Sequence, residues 1–203
     1  MKGDLTVRGA KDVKVTKLGG GAAAAIEGKA EITCSGDVIL KNLSGSFGDG
    51  RNLIKNGLTV YRADTVTTEG GINGEAIIDC TRDIVLGNEW GTTVSKLTVK
   101  NADNVTVTSG SVYRSIEDDV DITCSGTVEI KGKKPINVKV IFTQAGNKPY
   151  VYFTDQSSEY KDSRITPIPE TIGRKYLRIE PRETYSITVA NGTAQVVGDT
   201  DGK

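Results

Sequence analysis

The chain of 203 residues is long enough for one substantial hydrophobic core, and its 26 basic and 26 acidic side chains cancel. That balance offers no positive field to nucleic acid, and no apolar run approaches the roughly 18 residues of a membrane span. Histidine is absent and glycine outnumbers all aromatics together, which removes the usual base of nucleophilic triads and the commonest metal ligand and favours strands and turns over helices.

Met1-Lys2-Gly3-Asp4 carries no apolar signal segment and stands directly before the first patterned strand, so the natural N-terminus is expected upstream. From Leu5 to Val15 the chain reads LTVRGAKDVKV, two short alternating strands around a bend. Gly19-Gly20-Gly21-Ala22 reads as a loop. Ile26 to Leu40, IEGKAEITCSGDVIL, again alternates, with Ala30, Ile32 and Cys34 two residues apart on one face. The glycine-rich stretch from Asn42 to Asn56 is expected to be a corner loop.

Both patterns then return. Leu58 to Thr68 (LTVYRADTVTT) and Leu97 to Val107 (LTVKNADNVTV) repeat the first; Ile72 to Leu86 (INGEAIIDCTRDIVL) and Ile116 to Ile130 (IEDDVDITCSGTVEI) repeat the second without a gap. Core segments are expected to start at residues 5, 32, 58, 78, 97 and 122, with steps averaging about 23 residues. One such segment cannot bury its apolar positions alone, whereas stacked copies form a continuous core and satisfy each other's backbone groups. The expected fold is all-β: a right-handed parallel β-helix (β-solenoid) of three two-coil repeats over residues 1–134.

After Gly132 the pattern changes, and five of the seven tyrosines follow: Tyr150, Tyr152, Tyr160, Tyr176 and Tyr185. Val138, Val140 and Phe142 still alternate. Residues 135–190 are expected to form a terminal coil and an aromatic-rich cap over the open end of the stack. Pro167 and Pro169 mark an extended connection, and Tyr176 to Ile179 and Tyr185 to Val189 read as late strands. Residues 191–203 read as a tail or linker. Within it Asp199-Thr200-Asp201-Gly202 has the opening, without a closing ligand, of a calcium loop.

The alternation of LTV-x-x-A-x-x-V with A-x-I-T-C-S-G-x-V over residues 5–132, and the tail Tyr176-Leu177-Arg178-Ile179-Glu180-Pro181 with Tyr185 to Thr193, resembles β-helical segments of large secreted surface proteins from anaerobic gut bacteria. The resemblance implies an extracellular, cell-surface setting with further modules in the same polypeptide. It specifies a fold and not a reaction.

Four groups of residues are candidates for chemistry. Cys34, Cys80 and Cys124 hold one repeat position and form an inward ladder; with no Cys-x-x-Cys pair and no histidine they read as packed free thiols, with no metal expected. Two coils apart, they lie about 9 to 10 Å from one another, beyond disulfide reach. On the outward positions stand Lys29, Glu31 and Thr33, then Glu75, Ile77 and Asp79, then Asp119, Asp121 and Thr123. Asp119 and Asp121 lie roughly 6 to 7 Å apart, so they and Glu75 and Asp79 are the carboxylates a polysaccharide lyase or hydrolase would use, with Lys29 or Arg82 as the cation. A solvated polar face explains the same residues.

The corner Asn88-Glu89-Trp90 carries the only tryptophan; its indole suits stacking on a sugar ring, with Asn88 and Glu89 bonding hydroxyls, or packing over the next coil. Tyr150 and Tyr152 alternate on one strand and read as structural. The leading expectation is a non-catalytic surface module, a stalk or a platform binding a glycan or a surface protein, needing no cofactor. The alternative is a carbohydrate-active enzyme working on the acidic face.

Overall fold

The computed structural model describes residues 1–19, 23–43, 52–88, 94–109, 116, 119–132, 140–143, 150–154, 164–165 and 175–181. Among them are seventeen strands and no helix. In chain order these are β1 (Leu5–Ala10), β2 (Val13–Lys17), β3 (Ala30–Cys34), β4 (Val38–Asn42), β5 (Asn52–Ile54), β6 (Leu58–Ala63), β7 (Val66–Glu69), β8 (Gly71–Cys80) and β9 (Asp83–Asn88). There follow β10 (Val94–Ala102), β11 (Asn104–Ser109), β12 (Val120–Cys124), β13 (Val128–Gly132), β14 (Val140–Thr143), β15 (Tyr150–Thr154), β16 (Arg164–Ile165) and β17 (Tyr176–Glu180).

The chain shuttles between two parallel sheets. The first runs β1-β3-β6-β8-β10-β12-β14, with β5 beside β8; in the second, β2, β4, β7, β9, β11 and β13 stack in turn. One strand of each sheet and the tight corner between them make one pass, and six passes succeed one another from β1/β2 to β12/β13. Each repeat motif is thus one strand–corner–strand unit. The alternation within it puts every second side chain between the sheets, as in the burial of Ala30, Ile32, Cys34, Val38 and Leu40.

Register joins these side chains into columns. Leu5, Ala30, Leu58, Ala76, Leu97 and Val120 lie side by side, as do Val7, Ile32, Val60, Ile78, Val99 and Ile122. The pairing corrects the expected phase: Leu5 meets Ala30, the first inward residue of β3, and not Ile32, so the passes are spaced from Leu5, Ala30, Leu58, Ala76, Leu97 and Val120. The columns also alternate in size. A leucine of one pass lies against alanine or valine of the next, a valine against an isoleucine, and Ala10, Ala63 and Ala102 against Cys34, Cys80 and Cys124. Each of the five interfaces from β1 to β12 joins an LTV-type strand to a cysteine-type strand, and the size alternation fills the shared volume without crowding.

The two strand types differ in length by one residue, which a β-bulge absorbs. The ladder shifts between Arg8 and Ala10, between Val60 and Ala63, and between Val99 and Ala102. At all three bulges the extra residue takes a left-handed backbone: Gly9 at φ 70°, Arg62 at 62° and Asn101 at 61°. This turns the following alanine back into the core. Glycine accepts that conformation freely, asparagine tolerates it, and arginine holds it at a cost of roughly 1 kcal/mol.

A third, short line of pairing lies ahead of the first sheet. Ile26 bridges Ile54, Ile54 pairs with Ile72, and Val94 pairs with Ile72 and bridges Ile116. All five are buried. The expected loop from Asn42 to Asn56 is corrected here: it contains β5, and its Leu53 and Ile54 are fully buried core. Asn42 is buried too, its side-chain amide donating to the Asn52 carbonyl at 2.8 Å. In the second sheet Thr68 interrupts an apolar column and is satisfied by the Gly87 amide, which donates to its hydroxyl at 3.2 Å.

In the second sheet the direction of pairing reverses beyond β13, while β14 still adds to the first sheet parallel to β12. β17 pairs antiparallel with β13, β15 with β17, and β16 with β15, burying Val151, Leu177 and Ile179. The segment from Tyr185 to Val189, Tyr160, and both Pro167 and Pro169 lie outside the described residues.

Candidate functional site

The outward side of the first sheet holds the acidic residues. Lys29, Glu75, Asp119, Asp121 and Thr123 are exposed, and Glu31, Thr33, Ile77 and Asp79 half-buried. The register sets Glu75 beside Lys96 and Asp79 beside Lys100 on β10. Lys96 reaches Glu75 at 3.3 Å. Asp79 accepts a hydrogen bond from the Asn101 amide at 2.9 Å, across the bulge. Both carboxylates are thus tied to the neighbouring pass. Asp121 lies between Thr98 and Ile141 in its ladder, so no carboxylate faces it from the adjacent strands. Arg82 lies at a corner, 3.2 Å from Asp64, and not on this face. The fold brings Glu75, Asp79 and Asp121 to the outward side of one sheet and leaves Asp119 directly before β12, and among the described residues no two of the four are brought together through a shared partner.

The three cysteines end β3, β8 and β12, each inward and next to the corner. They are free and buried. Each thiol donates weakly to a corner carbonyl: Cys34 to Gly36 at 3.7 Å, Cys124 to Gly126 at 3.6 Å, and Cys80 to Asp64 at 3.0 Å. Desolvation raises all three above the ordinary thiol range, Cys124 to about 11. A protonated, enclosed thiol is a poor nucleophile and a poor metal ligand. Among the described residues no group of three histidine, cysteine or acidic side chains could hold a metal ion.

Asn88 ends β9 with its backbone paired to Ser109. Glu89 and Trp90 lie outside the described residues. Of the predicted sugar-stacking corner, Asn88 is thus the last residue of a second-sheet strand.

Sequence reasoning missed a polar network along the corners between the sheets. Asp12 accepts from the Asp37 amide at 3.0 Å, Asp37 from the Thr65 hydroxyl at 2.6 Å, and Asp83 from the Asn104 amide group at 2.9 Å; Asn104 in turn accepts from the Thr127 amide at 2.9 Å. A parallel set links Asp64 to Thr81 at 3.0 Å and Asp103 to Ser125 at 2.8 Å. The sequence signal was present: a hydroxyl, acid or amide stands directly before the first apolar residue of each of the six parallel second-sheet strands, β2, β4, β7, β9, β11 and β13. Gly36 and Gly126 belong to the same device. A Cβ on Gly36 would stand 2.2 Å from Asp12 Oδ1, and one on Gly126 2.4 Å from Asn104 Oδ1. In the middle repeat, where Arg82 replaces that glycine, the preceding pass carries Thr65 in place of the Asp or Asn. The corner is a structural fastening whose polar groups are spent on one another.

Compared with known protein families, with curated proteins and with solved structures, the chain has no significant match in any of the three.

Proposed function

We propose that the chain is a right-handed parallel β-helix of three two-coil repeats over residues 1–134, closed by a cap over 135–190, and that it works as a non-catalytic cell-surface module. Its role in this reading is that of a rigid stalk or platform within a longer exported polypeptide. The observation that carries the proposal is the unbroken pair of parallel ladders through six passes, in which buried columns and corner hydrogen bonds both continue from each pass to the next. At about 4.8 Å per pass the stack extends roughly 25 to 30 Å, a length set by repeat number alone. The antiparallel return of β17 and β15, which covers the second-sheet edge of β13, supports the cap.

Binding, in this proposal, is the task of the corner carrying Asn88, Glu89 and Trp90, with a glycan or a surface protein as partner. One such site is weak, so multivalent display is required. The test is a glycan array probed with the multivalently displayed protein. Trp90→Ala should abolish capture without lowering the melting temperature; a large loss of stability would show Trp90 to be corner packing instead. Glu75 and Asp79, held by Lys96 and Asn101, give the enzymatic reading no converging acid and base. Polysaccharide turnover lost in Asp119→Asn or Asp121→Asn would overturn the non-catalytic reading.

A further inference from the structure

Among the described residues the two sheets begin on edges with no further strand paired to them. β1 and β2 are terminal in their ladders, and of the partly buried apolar residues packed on the core, four belong to this first pass: Leu5, Val7, Ala10 and Val15. Among the described residues their inward side chains have a strand neighbour on one side only. The Leu5 and Val13 amides donate to Lys29 and Asp37 of the second pass, at 2.9 and 2.8 Å. Alternation along a parallel strand then directs the amides of Thr6, Lys14 and Thr16 to the open edge.

Every interface inside the stack shows what such an edge accepts. LTV-type strands lie only against cysteine-type strands or the end of the stack, never against one another. Size explains the rule: a second LTV-type strand on β1 would set leucine on leucine and leave alanine facing alanine. A cysteine-type strand would set alanine or valine on Leu5, isoleucine on Val7 and cysteine on Ala10, as it does from the other side.

Charge points the same way. The first pass carries Lys2, Arg8, Lys11, Lys14 and Lys17 against Asp4 and Asp12, a net +3. The three cysteine-type segments are all acidic: −1 for residues 26–42 (three acids, two bases), −2 for 72–88 (three acids, one base) and −4 for 116–132 (five acids, one base). We propose that the β1/β2 edge is a docking surface for an acidic strand–corner–strand segment of the cysteine type, presented by another protein module and added as a further parallel pass. The inference rests on the ladder register and not on the glycan reading, so either can fail alone.

The probe is a fluorescein-labelled, reduced synthetic peptide with the sequence of residues 116–132, titrated with the intact protein. Saturable binding is expected, weakening roughly tenfold as salt rises from about 50 to 500 mM. Amide exchange should slow at Thr6, Lys14 and Thr16. The doubly exposed-site variant Lys11→Glu/Lys14→Glu should fold normally and lose affinity, and a peptide carrying Ile122→Asp should not bind. Three results would overturn the proposal: no binding, equal binding of an LTV-type peptide with the sequence of residues 97–109, or protection of the same amides by dimerisation of the protein without peptide.

Discussion

Ile78 lies at the centre of the stack, and its truncation measures what continuity of the columns contributes. The side chain has no solvent-accessible surface and lies between Val60 and Val99, which are also buried. Ile78→Ala removes three buried carbons, about 2 to 2.5 kcal/mol in transfer free energy. Both flanking strands are pinned by ladders on their far sides, to β3 and to β12, so the cavity collapses little and adds roughly 1 kcal/mol. The expected loss is about 3 to 4 kcal/mol, read by urea unfolding followed by circular dichroism. Val7→Ala supplies the internal control. It lies in the same column at the open edge, half-buried, and should cost about 1 kcal/mol or less. Ile78→Asp, which leaves a carboxylate unpaired in mid-stack, should prevent stable folding. An Ile78→Ala penalty no larger than that of Val7→Ala would refute the argument, because it would mean that the middle of the stack is no more tightly constrained than its end.

At the bulges, Arg62→Gly should raise stability by up to about 1 kcal/mol by relieving a left-handed backbone, whereas Asn101→Ala should lower it by about 1 to 2 kcal/mol through that backbone and the lost bond to Asp79; chemical denaturation distinguishes the signs. Gly36→Ala forces its Cβ into Asp12 and the Lys11 carbonyl and should cost about 1 to 3 kcal/mol, visible as a lowered melting temperature. Thiol titration should find three unreactive cysteines in the native protein and three reactive ones after unfolding without reductant. Since the folded state keeps the Cys124 proton up to about pH 11 while the unfolded chain loses it from about 9, the Cys124 contribution to stability should be constant below that window and be lost as pH rises across it; Cys124→Ala should make the fall of unfolding free energy over that window shallower.

The sequence alone determined which side chains face inward, since strand alternation is a local property: Ala30, Ile32 and Cys34 needed no partner to be assigned to one face. It also placed two strands and a bend in each motif, because the polar residues between Ala10 and Val13, or between Cys34 and Val38, break the alternation at the same point in every copy. Parallel in-register stacking followed from repetition, since identical units have identical faces to bury. Register itself did not follow. Whether Leu5 meets Ala30 or Ile32 depends on side-chain volume across strands and on a bulge at Gly9, Arg62 and Asn101, three residues with nothing chemical in common but their backbone. The inward line through Ile54 and Val94 was hidden for a similar reason: neither the adjacent pair Leu53-Ile54 nor Val94, which follows two threonines, shows strand alternation, and the line forms only because Ile26, Ile72 and Ile116 are stacked beside them. The same holds for the acidic face. Spacing placed Glu75, Asp79, Asp119 and Asp121 on one side of a sheet, but Lys96 and Asn101, which hold the first two, come from the next pass, and only the stacking of one pass on another puts them within reach.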